Sequence, residues 1–142
     1  MSYKKIDAYQ THTKTTETVQ ETEAAVLEKA AFCLENAQRA PDDNAIFEDA
    51  VQFNQQVWIA IQSVLDDSNQ LPPEVVANLM SLSIFIDRQL AKAQIEEDRD
   101  MLSSVININR NIAAGLRDAA RLQSSEEPTQ PPSHTPTSID IA

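Results

Sequence analysis

The stretch from Leu71 to Ile86 is the most apolar part of this chain, and it opens with a clear helix start signal. Pro72 and Pro73 suit a first helical turn, because the N–H groups there have no partner within the helix and proline already has a helical φ. Glu74 then favours the positive end of the helix dipole. A stripe at spacings of four, three, four and seven follows, flanked by further apolar residues: Val75, Leu79, Leu82, Ile86 and Ala93, with Val76, Met80 and Phe85 beside them. A helix this apolar must be covered on more than one side.

Glycine and proline usage favours an all-α fold around this helix. The 142 residues suffice for one domain of ordinary size, yet they include a single glycine, Gly115, and long runs without proline. The turns of a β-sandwich or β-barrel are hard to build from such a composition. We therefore predict an all-α fold, a small helical bundle of about four helices.

The first two helices are predicted from cap signals and apolar periodicity. Thr18 followed by Glu21 has the spacing of a capping box, in which the hydroxyl and the carboxylate each satisfy a free backbone N–H. This predicts a first helix from about residue 18 to 39, which Pro41 ends. Residues 42–44 supply cap candidates for a second helix. Its seam alternates spacings of four and three, as in a heptad repeat: Phe47, Val51, Asn54, Trp58, Ile61 and Leu65.

The last two helices follow from the same periodicity. Residues 66–69 form a short connection to the helix that Pro72 and Pro73 start, so the second and third helices should make a tight antiparallel hairpin. The third helix should continue to about Gln94. Neither glycine nor proline marks its end, and the charged residues place a break near Glu97 to Asp100. The fourth helix has a seam that fades after Arg121: Leu102, Val105, Asn109, Ile112 and Leu116.

The two ends of the chain differ in composition from this helical region. Residues 1–17 are polar and threonine-rich, and they read as an extended arm with two aromatic docking candidates, Tyr3 and Tyr9. Residues 124–142 are rich in proline, serine and threonine. They can bury too little apolar surface to offset chain entropy, so we predict a disordered tail. The helical domain is predicted to span residues 18–123.

The charge distribution excludes some classes of partner. The formal net charge is −11, and between Arg39 and Arg88 there are eight acidic residues and no lysine or arginine. Such a surface repels phosphate, so we expect no direct binding of nucleic acid. The N-terminus lacks the apolar core of a signal peptide, and the longest apolar run is shorter than the roughly 20 residues that span a bilayer. We therefore expect a cytoplasmic protein without membrane contact.

Two asparagines interrupt the seams at positions where the period calls for apolar side chains. Asn54 lies in the middle of the second helix, and Asn109 in the middle of the fourth. One interpretation is that these amides bond each other or a nearby backbone group and set the helix register. The other is that they line a groove and bond a partner's backbone. Trp58, one turn after Asn54, is correspondingly either a core residue or a partner-binding anchor.

A search for catalytic or metal-binding motifs returns none. His12 and His134 lie in the predicted arm and tail, and the chain has one cysteine, Cys33. No spacing of ligands typical of a metal site, no nucleophile with its base and no glycine-rich phosphate loop occurs in the sequence. We expect no catalytic activity, no cofactor and no metal ion. From the residues alone, this is a small acidic helical binding module.

Short blocks of sequence occur in a characteristic order over roughly residues 8–116: Ala8-Tyr9-Gln10, Asn54 with Trp58, Leu71-Pro72 before Ala77-Asn78-Leu79-Met80-Ser81-Leu82, and Ile108-Asn109-Arg110 before Gly115-Leu116. In their order and separation these blocks resemble the flagellar biosynthesis regulator FlaF family of alphaproteobacteria. The chain departs from that family at two positions. Val76 stands where arginine is usual, and Phe85 stands where tryptophan is common.

This resemblance implies a cytoplasmic factor without enzymatic activity that is needed for flagellin production. Such a factor acts with the FlbT regulator and binds flagellin before export. An adaptor that acts only through FlbT, without touching flagellin, is the alternative. A direct regulator of flagellin messenger RNA would need a basic groove and stacking aromatics, which this acidic chain lacks. We take these residues as candidates for partner binding: Tyr9, Asn54, Trp58, Leu71, Asn78, Met80, Ile84, Asn109 and Arg110.

Overall fold

A computed structural model of the chain describes residues 18–67 and 71–126. These residues form four α-helices and one short 3₁₀ helix and no strand, so the predicted all-α helical bundle is confirmed. In chain order the elements are α1 (Val19–Arg39), α2 (Asn44–Asp67), α3 (Pro73–Glu96), the 3₁₀ helix (Arg99–Leu102) and α4 (Ser103–Glu126). The predicted arm over residues 1–17 and most of the predicted tail, residues 127–142, lie outside the described residues.

The chain divides into two compact units, which we describe separately. One comprises Met1–Ala25 and Ala113–Ala142, and the other comprises Val26–Ile112. In the first, the predicted capping box starts α1: the backbone N–H of Thr18 donates to Glu21 Oε1 and the N–H of Glu21 donates to Thr18 Oγ1, both at 3.1 Å. This unit also contains the later part of α4, where Arg121 forms an ion pair with Asp118.

The fourth helix is longer than predicted. It continues past Arg121 to Glu126, although the apolar seam has faded there and Leu122 is exposed. The reason is local. No glycine or proline occurs after Gly115 until Pro128, and a proline disfavours helical backbone only at the residue directly before it. The apolar stripe therefore ends where α4 is no longer buried, and the helix itself continues beyond that point.

The unit of residues 26–112 holds most of the apolar core. Its second helix begins with a cap in which the N–H of Ile46 donates to Asp43 Oδ1 at 3.0 Å. Its third helix begins where the two prolines predict, with Pro72 in the cap position and Pro73 in the first turn. The buried apolar side chains of this unit are Leu27, Ala30, Ala31, Leu34, Ala37, Phe47, Ala50, Val51, Val57, Trp58, Leu65, Ile86, Leu90, Ala93, Leu102, Val105 and Ile106.

The break between α3 and α4 lies where the charged segment predicts it. Glu97 adopts the left-handed conformation, with φ 53° and ψ 42°, and its N–H caps the end of α3. Glycine usually takes this position, because a side chain there costs about 1–2 kcal/mol. Asp98 then starts the 3₁₀ helix by accepting a hydrogen bond at 3.0 Å from the N–H of Asp100. The turn is thus made by a strained residue and a side-chain cap in place of a glycine.

One arginine ties this break to the turn between α1 and α2. Arg99 Nη1 donates to the carbonyl oxygens of Ala37 at 2.8 Å and Ala40 at 2.9 Å. Further bonds of 3.3 Å reach the Asp43 carbonyl and Asn44 Oδ1, and the guanidinium lies 4.6 Å from the centre of the Phe47 ring. The Ala37 carbonyl lies in the last turn of α1, where the carbonyls have no further turn of helix to bond, and the Ala40 and Asp43 carbonyls belong to the turn that follows. Arg99 therefore caps α1 from a distant part of the chain.

We expect Arg99→Met to destabilise the fold. The substitution keeps an apolar stem but removes every hydrogen bond to the α1–α2 turn, and a hydrogen bond to a charged group contributes about 1.5–3 kcal/mol. The free energy of unfolding, measured by urea titration, should fall by at least about that amount. Arg39→Met is the matched control, since the Arg39 side chain is 68% exposed in a 3.8 Å pair with Glu35. Equal urea midpoints for the two variants would contradict the capping role.

Candidate partner-binding surface

The two seam asparagines and the tryptophan form one buried hydrogen-bond network. Asn109 Nδ2 donates to Asn54 Oδ1 at 2.8 Å, and Trp58 Nε1 donates to Asn109 Oδ1 at 2.9 Å. Asn54 Nδ2 donates in turn to the carbonyl oxygens of Ala30 at 3.0 Å and Ala50 at 2.9 Å. All three side chains are fully buried. The interpretation that the amides bond each other is confirmed.

This network lies inside the unit and does not line a groove. It joins α2 and α4 through side chains and α1 through a carbonyl, so it sets the register of three helices at once. No buried side-chain nitrogen or oxygen within the described part of the chain lacks a partner. Three of the candidate partner-binding residues, Asn54, Trp58 and Asn109, therefore serve the interior of the folded domain and are closed to direct contact.

The third helix takes no part in this network and is held along one face only. Its buried residues are Ser83, Ile86, Leu90 and Ala93. Gln62 of α2 bonds the Ser83 hydroxyl, and Gln89 Nε2 donates to the Met101 carbonyl at 3.1 Å. These contacts place α2 on one side of α3 and the 3₁₀ helix on the other. The remaining surface of α3 faces outward.

The outward surface carries a second regular stripe, which we call the outer face of α3. It consists of six positions on α3. Because successive helical residues are about 100° apart, all six lie within about 40° of the direction opposite Ile86. All of them are exposed, and their spacings alternate between four and three: Ala77, Ser81, Ile84, Arg88, Ala91 and Ile95. Ile84 is 49% exposed and Ile95 81%, and Phe85 beside the stripe is 42% exposed. Apolar side chains thus occupy both faces of one helix.

The start of α3 adds to this surface. Leu71 and Val75 are exposed, at 40% and 37%, and Asn78 is exposed beside them. Met80 is half-buried, as are the neighbouring Val76, Leu79 and Leu82. The sequence of this stretch is more apolar than one bundle seam requires, and the structure leaves part of the excess in solvent. Exposed apolar surface of this kind is typical of an interaction site.

The other candidate residues lie elsewhere. Arg110 on α4 is exposed and holds Glu35 of α1 with two bonds, Nη2 to Oε1 at 2.9 Å and Nη1 to Oε2 at 3.2 Å. This bond from Arg110 lowers the pKa of Glu35, and the same bond raises the pKa of Arg110. Arg110 is therefore occupied within its own unit. Tyr9 lies outside the described residues.

Several residues of the outer face are absent from the sequence-based candidates. Their side chains are small, polar or near a charged helix end, so the sequence alone does not indicate that they contact a partner: Ala77, Ser81, Arg88, Ala91 and Ile95. The available signal is a second alternation of four and three, half a helical turn from the first. A sequence analysis that looks for one apolar stripe per helix does not find this second stripe, because the densest apolar positions belong to the buried face.

Among residues 18–67 and 71–126, no group of three or more His, Cys, Asp or Glu side chains could hold a metal ion. None of the helices described is long and apolar enough to cross a membrane. The exposed apolar surface of α3 is a candidate site on its own geometry, and single exposed apolar side chains also occur on α1 and α2, among them Phe32, Ile59 and Val64.

A comparison with protein families gives one match. The model of a family described as flagellar protein FlaF matches residues 5–116 of the chain. This range contains α1, α2, α3 and the 3₁₀ helix completely, and it ends within α4. Neither a curated protein nor a solved structure matches the chain.

Proposed function

The chain belongs to the FlaF family of flagellar proteins, and on that premise we propose that it binds newly made flagellin as a chaperone-like factor and supports flagellin synthesis and export. FlaF is a flagellar regulatory family and not a known family of enzymes. The observation that carries the proposal is the exposed apolar surface of α3, with Ile84 and Phe85 at its centre.

Physical chemistry makes this surface suited to a flagellin segment. On this proposal the bound segment is an amphipathic terminal helix of flagellin, whose exposed apolar face would favour aggregation before it assembles into a filament. A helix with an apolar face can lie on an exposed apolar helix or groove, and it is then shielded from other copies of itself. Methionine at such a site adapts to the shape of a partner, which gives half-buried Met80 a role at the edge of the contact.

We assign the contact to the accessible candidates on and before α3, namely Leu71, Asn78, Met80 and Ile84. The buried network of Asn54, Trp58 and Asn109 supports the contact indirectly, because it holds α2, the helix against which α3 packs. Contact with nucleic acid or a membrane is not part of the proposal.

Binding of flagellin alone is the direct test. Purified flagellin monomer, mixed with the purified full chain in the absence of FlbT and of RNA, should co-elute with it in size-exclusion chromatography. Isothermal titration should give a saturable heat. If flagellin co-elutes only after FlbT is added, the protein is an adaptor and the proposed direct contact is wrong. If it co-elutes only after flagellin messenger RNA is added, control acts through the messenger.

A further inference from the structure

We propose that the outer face of α3 binds a single partner helix in the manner of a two-stranded coiled coil, and that a carboxylate on this helix pairs with Arg88. The inference rests on the proposed function, since it describes the flagellin segment that the surface would take. It adds two properties of that segment: the register in which it packs along α3, and a carboxylate that lies opposite Arg88.

The geometry of the outer face supports a helical occupant. Its six positions alternate spacings of four and three from Ala77 to Ile95, which is the repeat that packs knobs into holes along a second helix. At 1.5 Å per residue this seam extends over about 27 Å. Small residues at Ala77, Ser81 and Ala91 allow close approach of the two helices, while Ile84 and Ile95 supply apolar bulk. A helix of about 18 residues would cover the seam.

Arg88 gives the seam its specificity. It is exposed, and its neighbours three and four residues away along the helix are Ile84, Phe85, Ala91 and Lys92. None of them is acidic, so the helix offers the guanidinium no internal ion pair. Within the described part of the chain Arg88 makes no ion pair or hydrogen bond at all.

A docked helix would take Arg88 out of water, and an unpaired buried charge opposes binding strongly. The occupant must therefore bring an aspartate or glutamate to this position. One charged position in an apolar heptad also fixes the register and orientation of the two helices.

The surrounding charges favour a protein helix over an anionic lipid surface. Glu74, Asp87 and Glu96 lie on α3 near the seam, and the chain carries a net charge of −11. The net negative charge would repel a phosphate-covered surface, whereas a helix can place a single carboxylate at Arg88, the one charged position of the seam, with exposed Lys92 one turn away beside it.

The test is the affinity of full-length variants for purified flagellin monomer, measured by isothermal titration. Arg88→Glu should weaken binding at least tenfold, because it places two carboxylates in contact. Arg88→Lys keeps the charge and should lose less. Arg39→Glu changes the net charge equally on α1, at a side chain that is 68% exposed, and should leave the affinity within about twofold. Arg88→Gln replaces Arg88→Glu if circular dichroism shows the latter unfolded.

Charge exchange identifies the partner residue. Each Asp and Glu in the terminal helices of flagellin is changed to Lys and titrated against Arg88→Glu, and one of these changes should restore binding. Native affinity of Arg88→Glu for wild-type flagellin would overturn the inference and leave the proposed function standing. Absence of binding by the wild-type chain would overturn both. Arg88-dependent binding to phosphatidylglycerol vesicles, with flagellin binding unchanged, would also overturn it by assigning the face to lipid.

Discussion

Asn109→Leu should destabilise the domain strongly, because it breaks the buried network of hydrogen bonds at its centre. The change leaves Asn54 Oδ1 and Trp58 Nε1 without a partner in a fully buried site. Each unsatisfied buried group costs about 1–3 kcal/mol, so the free energy of unfolding should fall by about 2–6 kcal/mol. Urea titration followed by circular dichroism measures this fall.

Two further variants show whether Asn109→Leu lowers stability because buried hydrogen bonds are lost or because any asparagine of α4 is replaced. Asn107→Leu is the matched control, since Asn107 lies on the exposed side of the same helix and its replacement should change stability by less than about 0.5 kcal/mol. The triple variant Asn54→Leu, Trp58→Phe, Asn109→Leu removes all the polar groups together. It should be more stable than Asn109→Leu alone, because no buried donor or acceptor then lacks a partner. A triple variant that is less stable than the single one would show that packing and not hydrogen bonding dominates at this site.

Ile84→Glu should abolish flagellin binding and leave the fold intact. Ile84 is half-exposed in the free protein, so a carboxylate there stays in water and the melting temperature should hardly change. In the complex the same carboxylate replaces an apolar contact of about 1.5–3 kcal/mol and would also have to be desolvated. Affinity should therefore fall by about a hundredfold or more, measured by titration of flagellin into each variant.

Phe32→Glu provides the control for this experiment. Phe32 is 53% exposed on α1, so the substitution makes a similar chemical change at similar exposure on another helix. It should bind flagellin like the wild type. Unfolding of Ile84→Glu would place this side chain in the core. A folded Ile84→Glu that binds with native affinity would rule out the outer face as the binding surface.

The parts of the fold that could be predicted are those set by neighbouring residues. Thr18 and Glu21 cap each other over one turn, and Pro72 and Pro73 start α3 by their own backbone preference, so both helix starts follow from sequence. The pairing of Asn54 with Asn109 is one of the interpretations open from the sequence, since each interrupts an apolar seam, and the structure decides for it. That Trp58 completes the network does not, because its partner depends on the relative rotation of α2 and α4.

The remaining features depend on contacts between distant segments. Nothing near Arg99 in the sequence indicates that it caps α1, since its acceptors lie at Ala37, Ala40 and Asp43. The candidate surface could be predicted only in part. The excess of apolar residues in α3 is evident from the sequence, but which of them stay exposed depends on where α2 and the 3₁₀ helix cover it. Burial, unlike periodicity, is a property of the assembled helices.

The buried network also bears on when this protein can fold during its synthesis. Asn54 and Trp58 leave the ribosome long before Asn109, the residue that accepts from one and donates to the other. Until Asn109 emerges, Asn54 Oδ1 and Trp58 Nε1 lack the protein partner that they have in the folded domain, so only water can satisfy them. We therefore expect this side of α2 to stay hydrated through the translation of α3. The network can close only when the first half of α4, which contains Asn109, has been made.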